Sequence, residues 1–212
     1  MKDVLALLDI ADDAHEDLLK NSSRSISKVV EGNIEDAALT ILREAPLLRL
    51  GSGVPYDDVS VAWHQSRGVG SGYIVMPDDF LRLVSLQMSD WRRSVSGDEL
   101  ITKSHPLYAR QQSRFAGIKG NPHNPVVALV DHAGGWALEF YSCYGGEGVV
   151  VDDIRYISTP KIVDGEIEIP ERVYEGVKYM ICYLTDQTLG IGRAAYYLDL
   201  ARNFAGLNTQ QK

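Results

Sequence analysis

The hydrophobic period of this chain changes twice, near residues 51 and 170, and those changes constrain its fold more than any other feature. Before residue 50, apolar side chains recur at helical spacing. Val4, Leu7, Leu8, Ala11, Ala14 and Leu18 make one stripe, and Ile34, Ala37, Ala38, Ile41, Leu42 and Ala45 make a second. Each is the pattern of a helix with one buried face. Asn33 suits the cap of the second helix, Glu35 and Asp36 suit its first turn, and Pro46 stops it. NSSRS at 21–25 then reads as a polar connector. From residue 51 the helical period is gone. GSG at 51–53 and GVGSG at 68–72 punctuate short β-prone runs. PVVALVDH and WALEFYSCY flank Ala133-Gly134-Gly135 as a hairpin would. VVVDDIRYIS and EIEI follow, with the turn residues Asp164-Gly165 between them. Helical spacing returns after Pro170, a residue suited to a first helical position. It runs Val173, Val177, Met180, Ile181, Leu184, Thr188, and beyond Gly190 and Gly192 continues as Ala194, Tyr197, Leu198, Ala201, Phe204.

The expected fold is therefore α+β. Helices from 1–50 and 170–212 pack together, and residues 51–169 form a β-rich, sandwich- or barrel-like unit with a long basic loop near 100–125.

Composition narrows the function classes. Hydrophobic residues at 45% and charged residues at 24% are sufficient for a globular core. With 21 Lys and Arg against 29 Asp and Glu, the net charge is −8, which argues against a dedicated duplex-DNA binder. Asp3, Asp9, Asp12 and Asp13 do not suit a signal peptide. No apolar run approaches the ~20 residues of a membrane span. Cys143 and Cys182 lack metal or redox spacing and read as core thiols of a protein folded in a reducing cytoplasm. His15, His64, His105, His123 and His132 show no HxxxH, HxH or HExxH spacing, so no metal is expected. GVGSG and the glycines of YSCYGGEG lead into β-prone segments rather than opening a helix, so no phosphate cradle or cofactor site is expected.

Two stretches remain. In YIVMPDDFLRLVSLQMSDW, Pro77 ends one run because it has no N–H for a ladder, and Pro77-Asp78-Asp79 is turn chemistry. Val84, Leu86 and Met88 then alternate with Ser85, Gln87 and Ser89 as a half-buried strand. Adjacent carboxylates in an extended turn diverge, so Asp78 and Asp79 read as structural, with Phe80 and Leu81 directed inward. The competing reading makes them an acid/base pair of a hydrolase. The second stretch, SHPLYARQQSRFAGIKGNPHNP, directly preceded by Lys103, holds Arg110, Arg114 and Lys119 in the neighbourhood of Tyr108 and Phe115, with no carboxylate between Glu99 and Asp131. It fits a solvated loop, a contact loop for an acidic neighbouring surface, or a single-stranded nucleic-acid patch with Tyr108 and Phe115 as stacking platforms.

The segment YIVMPDDFLRLVSLQMSDW, continuing through the basic loop and LEFYSC to the C-terminal helices, resembles head–tail connector or adaptor ring proteins of short-tailed bacteriophages. These include the tail tubular protein A (gatekeeper) type and the ring proteins of crAss-like phages. The resemblance covers about residues 33–205. It implies a non-enzymatic virion subunit, without catalytic residues or cofactors, made in the host bacterial cytoplasm and placed at the head–tail junction. Its implied partners are identical subunits in a ring, typically dodecameric, together with the portal protein and other tail proteins. DNA would pass through the channel, whose wall an acidic excess suits; no membrane is implied.

Overall fold

The structure is a computed structural model and describes residues 2–3, 23–64, 70–113, 115–145, 148–190 and 192–207. The expected helix over Val4–Leu18 and the side chain of Arg114 lie outside the described residues. The chain is mixed α+β, with helices in its terminal regions and sheets between them, and the described strands close no barrel. It divides into two compact units, Met1–Gly51 with Thr159–Lys212, and Ser52–Ser158. The expected boundary at residue 169 thus moves back to 158.

The first unit is built on α1 (Ser23–Glu44), α2 (Leu47–Leu50), α4 (Tyr174–Leu189) and α5 (Ala194–Ala205). Ile34, Ala37, Ala38, Ile41, Leu42 and Ala45 are all buried, so the stripe is the packing face of α1, which lies against α4. The expected start of this helix is corrected. Residues 23–25 already belong to α1, and Asn33 sits inside it, its Nδ2 donating to Thr185 Oγ1 of α4 at 3.2 Å. Val30 continues the apolar stripe one turn earlier, and tertiary packing on that face overrides the capping preference of Asn33. Pro170 precedes a single 3-10 turn, Glu171–Val173, that leads into α4. Gly190, at φ 70°, closes α4 with its N–H on the Asp186 carbonyl. The buried Asp186 carboxylate also accepts from the Arg193 N–H at 2.9 Å, tying the end of α4 to the start of α5.

A small sheet completes this unit, with β1 (Lys2–Asp3) and β11 (Ile162–Val163) flanking β12 (Glu166–Ile167). Asp164-Gly165 is a two-residue turn with positive φ at both positions, 53° and 78°, joining β11 to β12. VVVDDIRYIS, which precedes this turn in the sequence, forms a strand of the second unit.

The second unit has two sheets. One runs β2 (Val54–Pro55), β10 (Val151–Ser158), β5 (Phe80–Met88), β6 (Val95–Ser96). The other runs β3 (Val61–Trp63), β4 (Gly72–Val75), β9 (Gly135–Phe140), β8 (Val127–His132), β7 (Ile101–Thr102). They share a core in which Ile74, Val127, Leu138 and Phe140 of the five-stranded sheet meet Leu83, Leu86, Met88 and Ile154 of the other. The burial pattern of β5 departs from simple alternation. Phe80, Leu83 and Leu86 are buried, while Leu81 and Val84 are only half-buried. Leu81 and Val84 are the residues skipped in the register with β10. Each extra residue at such a bulge resets which face the strand presents.

Candidate functional site

β9 carries GWALEF, and strand alternation sends Leu138 and Phe140 into the shared core and Ala137 and Glu139 to the opposite face. That second face is also covered, so the Glu139 carboxylate is 5% exposed. A carboxylate removed from water needs partners. The Tyr108 hydroxyl donates to Glu139 Oε2 at 2.8 Å, and His64 Nε2 lies 2.8 Å from Oε1 in ion-pair range. That His64 nitrogen has no well-formed hydrogen bond. Burial above all, and then Glu139 and Tyr108, push the Tyr141 phenol well above its ordinary range. Gln112 Nε2 donates to the Tyr141 hydroxyl at 3.3 Å. The Tyr73 ring stands between His64 and His132, at 5.5 and 4.3 Å.

What covers this face is the basic segment. It was expected to be irregular, but it contains a short helix, α3 (Pro106–Gln111), and a 3-10 turn at Ala116–Ile118. His105 Nδ1 accepts from the Leu107 N–H at 3.2 Å as the cap of α3, and Pro106 occupies the first turn. Six residues are too few for the helical period to show, so the sequence displays only a loop. Beneath α3, Tyr108 reaches Glu139 and Gln111 is 2% exposed. Gln111 Oε1 accepts from the Gly120 N–H at 2.7 Å, and Ser142 Oγ accepts from the Val126 N–H at 2.7 Å. A side chain at Gly120 would run into Ser142 and Val126, so the segment can lie this close to the sheet only with glycine there.

The outward side of the segment differs in character. Arg110 is exposed, Phe115 is 61% exposed and Ile118 51%, and Lys119 is half-buried beside them in sequence. Lys103 Nζ reaches the Asp131 carbonyl at 3.5 Å. The sequence-derived set thus separates: Tyr108 turns inward as an anchor, while Lys103, Arg110 and Phe115 face out. Tyr108, half-buried and edge-on to Tyr141 at 6.1 Å, is not placed as a stacking platform.

Pro77, Asp78 and Asp79 form a turn closed by the Phe80 N–H donating to the Pro77 carbonyl at 3.0 Å. Phe80 is buried and Leu81 is half-buried at the bulge. The two carboxylates go different ways. Asp79 Oδ1 accepts from the Tyr156 hydroxyl at 3.0 Å, whereas Asp78 is exposed and borders a notch of about 350 Å³ with Asp131 and Trp136. Cys143 and Cys182 are buried free thiols, pushed up to about 12 and 11 by burial. Among the described residues no group of three His, Cys, Asp or Glu side chains is placed to hold a metal ion, and no helix is long and apolar enough to cross a membrane.

Glu139, His64, Tyr141 and Gln111 escaped the sequence reading. The one available signal was a lone acid at Glu139 between Leu138 and Phe140 in an otherwise apolar strand. No protein-family model matches the chain, and no curated protein matches it.

Proposed function

We propose that the chain is a structural subunit of an assembled ring, of the head–tail connector kind that its sequence resembles, and that residues 103–119 are its subunit-contact element. One observation carries this reading. An outward surface of exposed Arg110, Phe115 and Ile118 is held from beneath by the Tyr108–Glu139 and Gln111–Gly120 hydrogen bonds. Arginine and aromatic side chains are favoured at protein interfaces, and a contact surface already ordered in the free subunit loses less entropy on association. The role is one of assembly rather than catalysis. The partners are identical subunits, a portal and neighbouring tail proteins, with DNA passing through an acidic channel that does not retain it.

The test is electron microscopy of the purified chain at high concentration, beside a variant carrying Arg110→Glu and Arg114→Glu. Closed rings are expected for the unchanged chain, and none for the variant, whose circular dichroism melt stays the same. Rings from both proteins, with loss only of single-stranded DNA binding in the variant, would transfer the segment to nucleic-acid contact. That outcome would come with a steep salt dependence.

A further inference from the structure

The five-stranded sheet carries opposite kinds of surface at its two ends. At the β8–β9 turn, Ala133 and Gly134 adopt φ of 51° and 87°. Asp78, Asp131 and Trp136 face a notch of about 350 Å³ beside that turn. Both carboxylates are exposed, and the Trp136 indole is 50% exposed. The Met76 N–H donates to the Trp136 carbonyl at 2.9 Å, which fixes the rim. An aromatic face flanked by carboxylates receives a guanidinium or ammonium group well, because the ring quadrupole and both anions attract the same charge. At the other end of β9, Gln112 is bonded to Tyr141 and Gly120 to Gln111. These contacts hold the chain of Arg110, Phe115, Ile118 and Lys119 there. Gly135 and Tyr141 are six strand steps apart, roughly 20 Å at the usual rise.

We propose that the Asp78–Asp131–Trp136 notch of one copy receives the Arg110–Lys119 end of the next copy. The proposal rests on the ring reading and names its two joint surfaces. A contact between two different patches on one chain is heterologous, so every copy offers one of each and the series continues until it closes. In the same copy Lys103 reaches the backbone carbonyl of Asp131 at 3.5 Å, whereas Arg110 and Lys119 are held toward the other end of the hydrogen-bonded sheet, away from their own notch. Opposite charge at the two ends also suppresses like-to-like pairing.

The test uses the full chain and two variants, with mass read by light scattering during gel filtration. The notch variant carries Asp131→Lys and Trp136→Ala; the end variant carries Arg110→Glu and Lys119→Glu. The unchanged chain is expected to associate with rising concentration, and each variant alone to require at least about tenfold more protein, a loss of ~1.4 kcal/mol or more per joint. Mixed in equal amounts, the two variants retain one intact joint and should give a one-to-one dimer and nothing larger. A notch variant that associates like the unchanged chain overturns the notch while the ring reading stands. A mixture as inert as its components shows that the two surfaces do not meet, and likewise overturns it. An unchanged chain that stays monomeric throughout overturns the ring reading itself, and the notch with it. Matching melts guard against misfolding, and Asp131→Asn alone, which removes only charge, should weaken association in the same direction.

Discussion

The Tyr156 hydroxyl donates to Asp79 across 77 positions of sequence, joining the turn before β5 to the strand that pairs with it. Burial first, and then Asp79, push the Tyr156 phenol up to about 12 from an ordinary 10.0. A raised phenol favours the folded state while it is neutral, so this stabilisation is complete below about pH 10 and disappears as pH climbs to about 12. Tyr156→Phe should cost about 1.5 kcal/mol at pH 8, the lower end for a hydrogen bond to a charged group, because Asp79 keeps partial access to water. In urea titrations the gap between the two proteins should close between pH 10 and 12; a constant gap would remove the linkage. Asp79→Asn, which can still accept, should cost less than Tyr156→Phe. The turn at Pro77 was legible because turn chemistry is carried by adjacent residues. The partner of Asp79 was not, and neither was the Glu139 cluster, whose members come from positions 64, 108 and 141.

Between α4 and α5 the backbones approach closely at Gly176. A Cβ there would stand 3.0 Å from the Ala205 nitrogen, 3.1 Å from its Cβ and 3.2 Å from the Ala201 carbonyl oxygen. Gly176→Leu must therefore force the helices apart, at about 1–3 kcal/mol for an overpacked contact, and lower the urea midpoint. An unchanged midpoint would mean that the crossing yields freely. This contact also explains where helix reading failed. The stripe of α1 was legible because that helix buries one face, from Val30 to Ala45. In α4 the expected line ran on to Leu184 and Thr188, yet Thr185 and Asp186 are buried and Thr188 is exposed. That helix packs on α1 through Thr185 and on α5 through Gly176, and two faces blur a single period. In β5 the bulges at Leu81 and Val84 did the same to a period of two.

At the scale of the molecule, one unit is continuous in sequence and the other is made from both ends. The change of period near residue 51 marked the first junction well, since helix and strand patterns differ sharply there. The second junction was read late because β11 and β12 are strands that belong with the helices, and periodicity reports the element rather than its neighbours. Residues 52–158 hold their own shared core, so that segment alone should melt cooperatively in solution. Removal of residues 170–212 should instead leave the Ile34–Ala45 face bare and give an aggregating protein, measured as sedimentable material at a concentration where the 52–158 segment stays clear. A soluble, cooperatively melting 1–169 fragment would count against the shared helical layer.

The clasp between β2 and β10 has a mechanical consequence. Val54 lies opposite Tyr156 and Pro55 opposite Arg155, and the Tyr56 N–H donates to the Ile154 carbonyl at 3.1 Å. The chain thus enters and leaves the 52–158 unit through one point, like the neck of a drawstring bag. A tug on the two ends of the polypeptide falls first on the other unit, on the β1–β12 pair and the packed helices, while the slack inside the bag carries no load. Only after α1 and α4 have parted does tension reach the neck, and there it peels the two-residue β2 away from β10 rather than shearing a sheet.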